Sequence, residues 1–204
     1  MTALRHTRRT SLLVLAVTLV AVACSTKVTR MEPDETRDLS GQWNATDSRL
    51  VSEQVIDEVM THPWAERYRQ ENAGRAPVVI VGSIRNRSHE HISVETFVRD
   101  VERALINAPG VDVVAAGEER EAIREERGDQ DLHAAEETRK AMGRELGADF
   151  MLQGTLNSIL DQEGRREVVF YQVDMNLTSL ADNRRVWAGQ KQIKKYVQRP
   201  RARF

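Results

Sequence analysis

The sequence predicts one α/β (α+β) domain: a mixed sheet of about four to five strands with helices packed on it, closed by a C-terminal antiparallel meander. Three observations carry this. Val78, Val79, Ile80 and Val81 lie in a compact apolar run, Pro77 to Ile84, whose near-continuity suits a strand buried on both faces. Further on, Val169, Tyr171, Val173, Met175 and Leu177 alternate with Phe170, Gln172, Asp174 and Asn176, the period-two signature of a strand with one wetter face. Around the first strand, apolar residues recur at helical spacing. Early alternation of helix and strand implies parallel pairing, while three closing strands joined by tight turns imply antiparallel pairing.

Leu39 to Thr46 holds Gly41 and Trp43 and leads to Asp47, a residue type that caps a helix by accepting from free backbone amides. Val51, Val55, Ile56, Val59 and Met60 form the stripe of that helix. Pro63 interrupts it, Trp64 to Asn72 makes a second short helical piece, and Gly74 ends the segment. Trp43 and Trp64 read as anchors of the core. After the first strand, Arg85 to Ile92 is a polar loop. Ser93 is placed to cap the next helix, whose Val94, Phe97, Val98, Val101 and Leu105 face inward until Pro109 and Gly110 stop it.

Val111 to Ala115 reads as a short second strand. Glu118 to Arg127 is helical, and its alternating acids and bases make it a solvated face. Ala134 to Leu146 is a further helix ending at Gly147. Phe150 to Leu160 is the third strand, with a turn around Gly164 before the alternating fourth. A turn at Asp182 and Asn183 leads to the fifth strand, Arg185 to Lys194, with Trp187 and Ile193 inward and Gln190 and Gln192 outward.

Cys24 is the only cysteine, and it stands behind an apolar run, Leu12 to Val22, that Arg5, Arg8 and Arg9 precede. A basic start, a short apolar stretch and small residues describe a secretory signal rather than a spanning helix, which needs roughly 20 apolar residues. Ala21, Val22 and Ala23 before Cys24 resemble a lipobox, with cleavage after Ala23 and lipid on Cys24. Arg8 and Arg9 ahead of Thr10 to Leu13 loosely resemble a twin-arginine export signal. The expected organisation is a signal peptide over 1–23, a lipidated tether over 24–38, a globular domain over 39–197 and a tail over 198–204. Without the three arginines of the signal, 30 basic residues become 27 against 31 acidic ones, so no basic stripe for nucleic acid is expected.

No catalytic constellation stands out. The chain lacks a Gly-x-Ser-x-Gly elbow, a phosphate-binding P-loop and a Gly-x-Gly-x-x-Gly turn. Carboxylates are abundant but sit among arginines on helices. His89 and His91 flank Glu90 and offer two ligands of a metal site, with His133, Asp129 or Asp131 as a third; a polar loop is the plainer reading. Asn86, Arg87 and Ser88 leave the first strand where α/β sheets often present binding loops; alternatively Asn86 simply makes the turn and Ser88 bonds its own backbone. Gln153, Thr155, Gln172 and Asn176 point outward together and offer a polar sheet surface to a partner or to a helix of the same chain.

Ser40-Gly41-Gln42-Trp43-Asn44-Ala45-Thr46-Asp47-Ser48, Val81-Gly82-Ser83-Ile84-Arg85-Asn86-Arg87-Ser88, Gly147-Ala148-Asp149-Phe150-Met151-Leu152-Gln153-Gly154 and Val186-Trp187-Ala188-Gly189 together resemble the LpoB family of outer-membrane lipoprotein activators of bifunctional penicillin-binding proteins. The resemblance covers roughly Ser40 to Lys195. It implies a protein that is not an enzyme and takes no cofactor or metal, held to the outer membrane by its N-terminal lipid and facing the periplasm. There it docks on the regulatory domain of a bifunctional penicillin-binding protein and stimulates peptidoglycan synthesis. Asn86, Arg87 and Ser88, with Gln153 and Thr155 on the neighbouring sheet, are the partner-binding candidates it implies. Ser25 after Cys24 favours sorting to the outer membrane. The chain departs from the family in its tether, whose about 15 to 22 residues reach roughly 50 to 80 Å when fully extended. Gly-Ala-Asp-x-x-Leu-x-Gly also resembles curli-secretion lipoproteins, and an envelope assembly lipoprotein of that kind is the alternative function.

Overall fold

The computed structural model describes residues 29–32, 35–36, 38–133 and 145–199, the side chain of Asp131 excepted. Ala23, Cys24, nearly all of the expected helix Ala134–Leu146 and the end of the tail from Pro200 lie outside them. The chain divides into two units after Glu35. In the first, the amide of Glu35 donates to the Glu32 carbonyl at 3.1 Å; every element below belongs to the second.

That unit contains helices α1 (Ala45–Thr61), α2 (Trp64–Glu71), α3 (Glu95–Ile106) and α4 (Gly117–His133), and strands β1 (Val78–Asn86), β2 (Asp112–Val114), β3 (Phe150–Glu163), β4 (Arg166–Ser179) and β5 (Arg185–Gln198). The five strands form one sheet in the order β2-β1-β3-β4-β5. β1 is parallel to β2 and β3, and the last three strands form an antiparallel meander. The mixed sheet is thus the predicted one. Its strands run further than expected, since β3 continues through Asp161 to Glu163 and β5 through Lys195 to Gln198. Asp161, Gln162, Glu163 and Lys195 carry little strand propensity of their own, but full cross-strand pairing with β4 supplies their backbone partners.

One face of the sheet is the core face. Val79, Val81, Leu152, Leu156, Tyr171, Val173, Met175, Leu177 and Trp187 point into it, where α1 and α3 supply Val51, Val55, Val59, Phe97, Val101 and Leu105. α1 lies over β5 and against α3, which covers β1 and β2. Trp64 is buried as expected. Its indole N–H donates to the Val59 carbonyl at 2.7 Å and its ring meets Phe150 edge-on at 5.3 Å. Trp43 is half-buried against Tyr171 in the same edge-on manner.

Two helix starts differ from expectation. The N-cap of α1 is Asn44, not Asp47: the Asn44 side chain accepts from the amides of Thr46 and Asp47, while Asp47 accepts from the Asn44 amide at 2.9 Å. Asp47 is therefore the third-position partner of a capping box. α3 is capped by Val94 without any side-chain hydrogen bond, so Ser93 does not serve there. α4 runs past Arg127 to His133, supported by Gln130 on Glu126 and His133 beside Asp129, each four residues apart.

A bulge in β1 decides what the other face of the sheet displays. Val81 pairs with Leu152 but Ile84 pairs with Gly154, so Gly82 and Ser83 together oppose one residue of β3. The extra residue inverts the alternation. Before it, odd-numbered residues face the core; after it, Ile84 and Asn86 do, and Arg85 is turned to the opposite, open face.

Candidate functional site

The open face from Arg85 outward is built in rows across the strands. Arg85, Thr155, Asp174 and Gln190 form one row; Gln153, Asn176 and Ala188 lie on one side of it, and Asn157, Gln172 and Gln192 on the other. The four outward residues expected from the sequence, Gln153, Thr155, Gln172 and Asn176, therefore share one surface. No helix of the described residues is packed on them. Gln153 is exposed and Thr155 half-buried.

Amides knit the centre of this surface. The Asp174 carboxylate accepts from Gln172 Nε2 at 2.9 Å and from Gln190 Nε2 at 2.8 Å. Gln192 Nε2 donates to Gln190 Oε1 at 2.9 Å and to Gln172 Oε1 at 3.3 Å. The single carboxylate in the middle is thus hydrogen-bonded by neutral amides, and among the described residues it makes no ion pair. Beyond the amides, toward the β3–β4 turn, the surface becomes apolar: Ile159 is 65% exposed and Tyr196 61%, with half-buried Phe170 and Val168 between them. This apolar end was not singled out from the sequence. Its signal was there in Phe170, which holds a position on the wetter face of β4.

The loop after β1 is rigid. The Asn86 amide group donates to the Glu90 carbonyl at 2.9 Å, and its carbonyl oxygen accepts from the amide of Ser88 at 2.9 Å and from the Ser88 hydroxyl at 2.7 Å. Both side chains are consumed in shaping the turn, as the plainer sequence reading has it. Arg87 is different. Its amide continues the ladder by donating to the Leu156 carbonyl at 2.7 Å, so by alternation it follows Arg85 on the open side. Arg87 is exposed, and among the described residues its guanidinium has no ion pair. Asn86 and Ser88 thus position Arg87 at the rim of the amide surface.

The same loop is pinned from below. Glu90 accepts from the backbone amide of Trp43 at 3.0 Å and from the hydroxyl of Tyr171, which also lies 3.2 Å from the Gly41 carbonyl. Burial, and after it the Glu90 carboxylate, push the Tyr171 phenol far above the ordinary tyrosine range, so it stays a neutral donor. His89 is held by Ser158, with its Nδ1 2.6 Å from the hydroxyl, and His91 is exposed. Among the described residues no group of three or more His, Cys, Asp or Glu is placed to hold a metal.

Among the described residues this surface offers an array of amides, an apolar end and cationic side chains at the rim, the elements of a protein-docking surface.

A family model described as "Peptidoglycan-synthase activator LpoB" matches residues 47–193, from the first turn of α1 into β5. A comparison with curated protein sequences finds no match. Among solved structures, the chain is similar to the LpoB C-terminal domain from Escherichia coli at 14% identity and TM-score 0.37, covering 66% of this chain and 100% of that one. The LpoB C-terminal domain from Salmonella enterica follows at 17% identity and TM-score 0.34, with 67% and 94% covered. The lipoprotein GNA1162 from Neisseria meningitidis is matched at 20% identity and TM-score 0.33, with 59% and 83% covered.

Proposed function

This chain belongs to the LpoB family of peptidoglycan-synthase activators, and from that premise we propose that it docks through its open sheet face on the regulatory domain of a bifunctional penicillin-binding protein and stimulates its synthesis of peptidoglycan. The family is regulatory rather than catalytic, and its members are lipoproteins of the cell envelope. In this reading cleavage follows Ala23, Cys24 carries the lipid that holds the chain to the outer membrane, and residues 24–38 are the tether from which the domain faces the periplasm.

The observation that carries the reading is the family match itself, which runs from the first turn of α1 into β5 and so includes all of β1, β3 and β4 and the first nine residues of β5. Gln153 and Thr155 supply hydrogen-bonding groups near its centre and Arg87, held by Asn86 and Ser88, a cation at its rim. The protein acts by favouring one conformation of an enzyme it binds, which requires tighter binding to the active state than to the resting one.

The test uses the chain with a bifunctional penicillin-binding protein, reading affinity by calorimetry and glycan polymerisation by the consumption of lipid-linked substrate. Binding together with a faster polymerisation rate is expected. Arg87→Glu reduces affinity about tenfold or more and makes the remaining binding less sensitive to salt. Ile159→Asp weakens binding and lowers Tm only slightly, because the side chain is 65% exposed although Asp is a poorer strand former than Ile. Absence of both binding and stimulation overturns the proposal.

A further inference from the structure

A cleft of about 920 Å3 opens on the core side of the sheet, away from the docking face. Its walls are the segment before α1, the loop 89–93, the first turn of α3 and the β3–β4 turn region. The volume falls within the range of about 300–1,000 Å3 usual for ligand sites. Half-buried Trp43 and exposed Leu160 give it an apolar wall. The Trp43 indole is fixed in place, since its N–H donates to Ser48 Oγ at 2.8 Å and its ring rests edge-on against Tyr171 at 5.3 Å.

The state of the polar groups around that wall selects the ligand. Every charged side chain bordering the cleft is already engaged: Arg49 with Glu53, Arg199 with Glu167, Asp100 with Arg103, and Glu90 with Tyr171 and the Trp43 amide. By contrast, the side chains of Gln42, His91, Ser93, Thr96 and Gln162, all exposed at the cleft, make no hydrogen bond among the described residues. The unspent capacity is therefore neutral: two amides, two hydroxyls and an imidazole, each able to donate and accept. A phosphate or carboxylate ligand would have to compete with Glu53 and Glu167 for the two guanidinium groups here, and a purely apolar ligand would leave the neutral groups unused.

We propose that this cleft is a saccharide-binding site, taking an uncharged segment of a glycan with sugar rings against Trp43 and Leu160 and their hydroxyl or acetamido groups on Gln42, Thr96 and Gln162. Such a ligand presents both an apolar ring face and many neutral donors and acceptors, the combination the walls offer. The site lies on the opposite side of the sheet from the docking surface, and the inference does not depend on the activator reading. A glycan and a protein partner can occupy the chain together.

The experiment titrates the full chain in detergent with an uncharged N-acetylglucosamine tetramer, with no synthase present, so its outcome is separate from that of the activation assay. Trp64 and Trp187 are only 3% and 6% exposed, so a saturable change in tryptophan emission reports on Trp43. Such a change is expected, with calorimetry giving the same affinity. Gln162→Ala weakens binding about threefold, the effect of one lost neutral hydrogen bond. Thr96→Met, which removes a hydroxyl and fills space at an exposed position, weakens it tenfold or more. Unchanged circular dichroism shows that both variants are folded. Absence of a saturable change up to the solubility limit of the tetramer overturns the proposal. So does wild-type affinity in both variants, and so does inorganic phosphate that displaces the saccharide.

Discussion

Lys195 is the residue on which the start of the domain depends. Its Nζ reaches Asp47 Oδ2 at 2.6 Å, the Gln42 carbonyl at 3.0 Å and Asp38 Oδ1 at 3.3 Å. Asp47 is buried, so removing the ammonium strands a carboxylate that keeps only the Asn44 amide and Lys195-free surroundings. Lys195→Met is expected to cost about 3 kcal/mol and to lower Tm by about 10 °C in a thermal melt. Asp38 adds an acid dependence. The Asn44 amide group, and next the charge of Lys195, hold its carboxyl below the ordinary 3.8. A depressed carboxylate contributes stability that is complete above its unfolded value and is lost as pH falls through its folded one. Urea midpoints should therefore drop below about pH 4, and Asp38→Asn should flatten that drop. The effect is small and salt-sensitive because the Asp38 side chain is half exposed.

At the scale of elements, the bulge in β1 sets which residues the docking face displays. Deleting Ser83 removes the extra residue and leaves Ile84 toward the core and Arg85 on the open face, so β1 should pair with β3 without a bulge. The expected result is cooperative unfolding in denaturant with synthase binding retained, and loss of binding by the folded variant would show that the local twist of the bulge, beyond the alternation, shapes the face. This is also where the sequence was least legible. Apolar stripes showed α1 and α3, and period two showed β4, because each pattern is written within one element. The bulge is a relation between β1 and β3, and a residue run such as Val81-Gly82-Ser83-Ile84 does not declare its partner's register. For the same reason the knitted amides of Gln172, Asp174, Gln190 and Gln192 could not be read from β4 or β5 alone. The motif ending in Gly154 becomes intelligible only in the sheet. A side chain there would collide with the Asp174 carbonyl and the sulfur of Met175, and Asp149 is needed to hold Arg75 and the amide of Val78. Candidate residues fared unevenly: Arg87, Gln153 and Thr155 stand on or beside the open face, whereas Asn86 and Ser88 serve the turn.

For the molecule as a whole, a sheet face that no described helix covers and a core formed on the other side suit the proposed docking on a partner. A ring-forming assembly lipoprotein would associate with itself through the same exposed surfaces. Light scattering of the purified chain should return the mass of one copy, and a stable higher-order ring would favour the assembly alternative. The placement of the first residues of the domain has a mechanical meaning. Asp38 and Gln42 are bonded to Lys195 on β5, and Trp43 is bonded to Glu90, whose own carbonyl closes the turn that presents Arg87. Were the chain anchored at Cys24 as proposed, tension along the tether would arrive first at Lys195 and, once that grip slipped, at the loop carrying the docking cation. In the proposed reading, a taut tether would thus loosen the loop that presents Arg87 before it reached the sheet, so the docking would yield under load while the fold held.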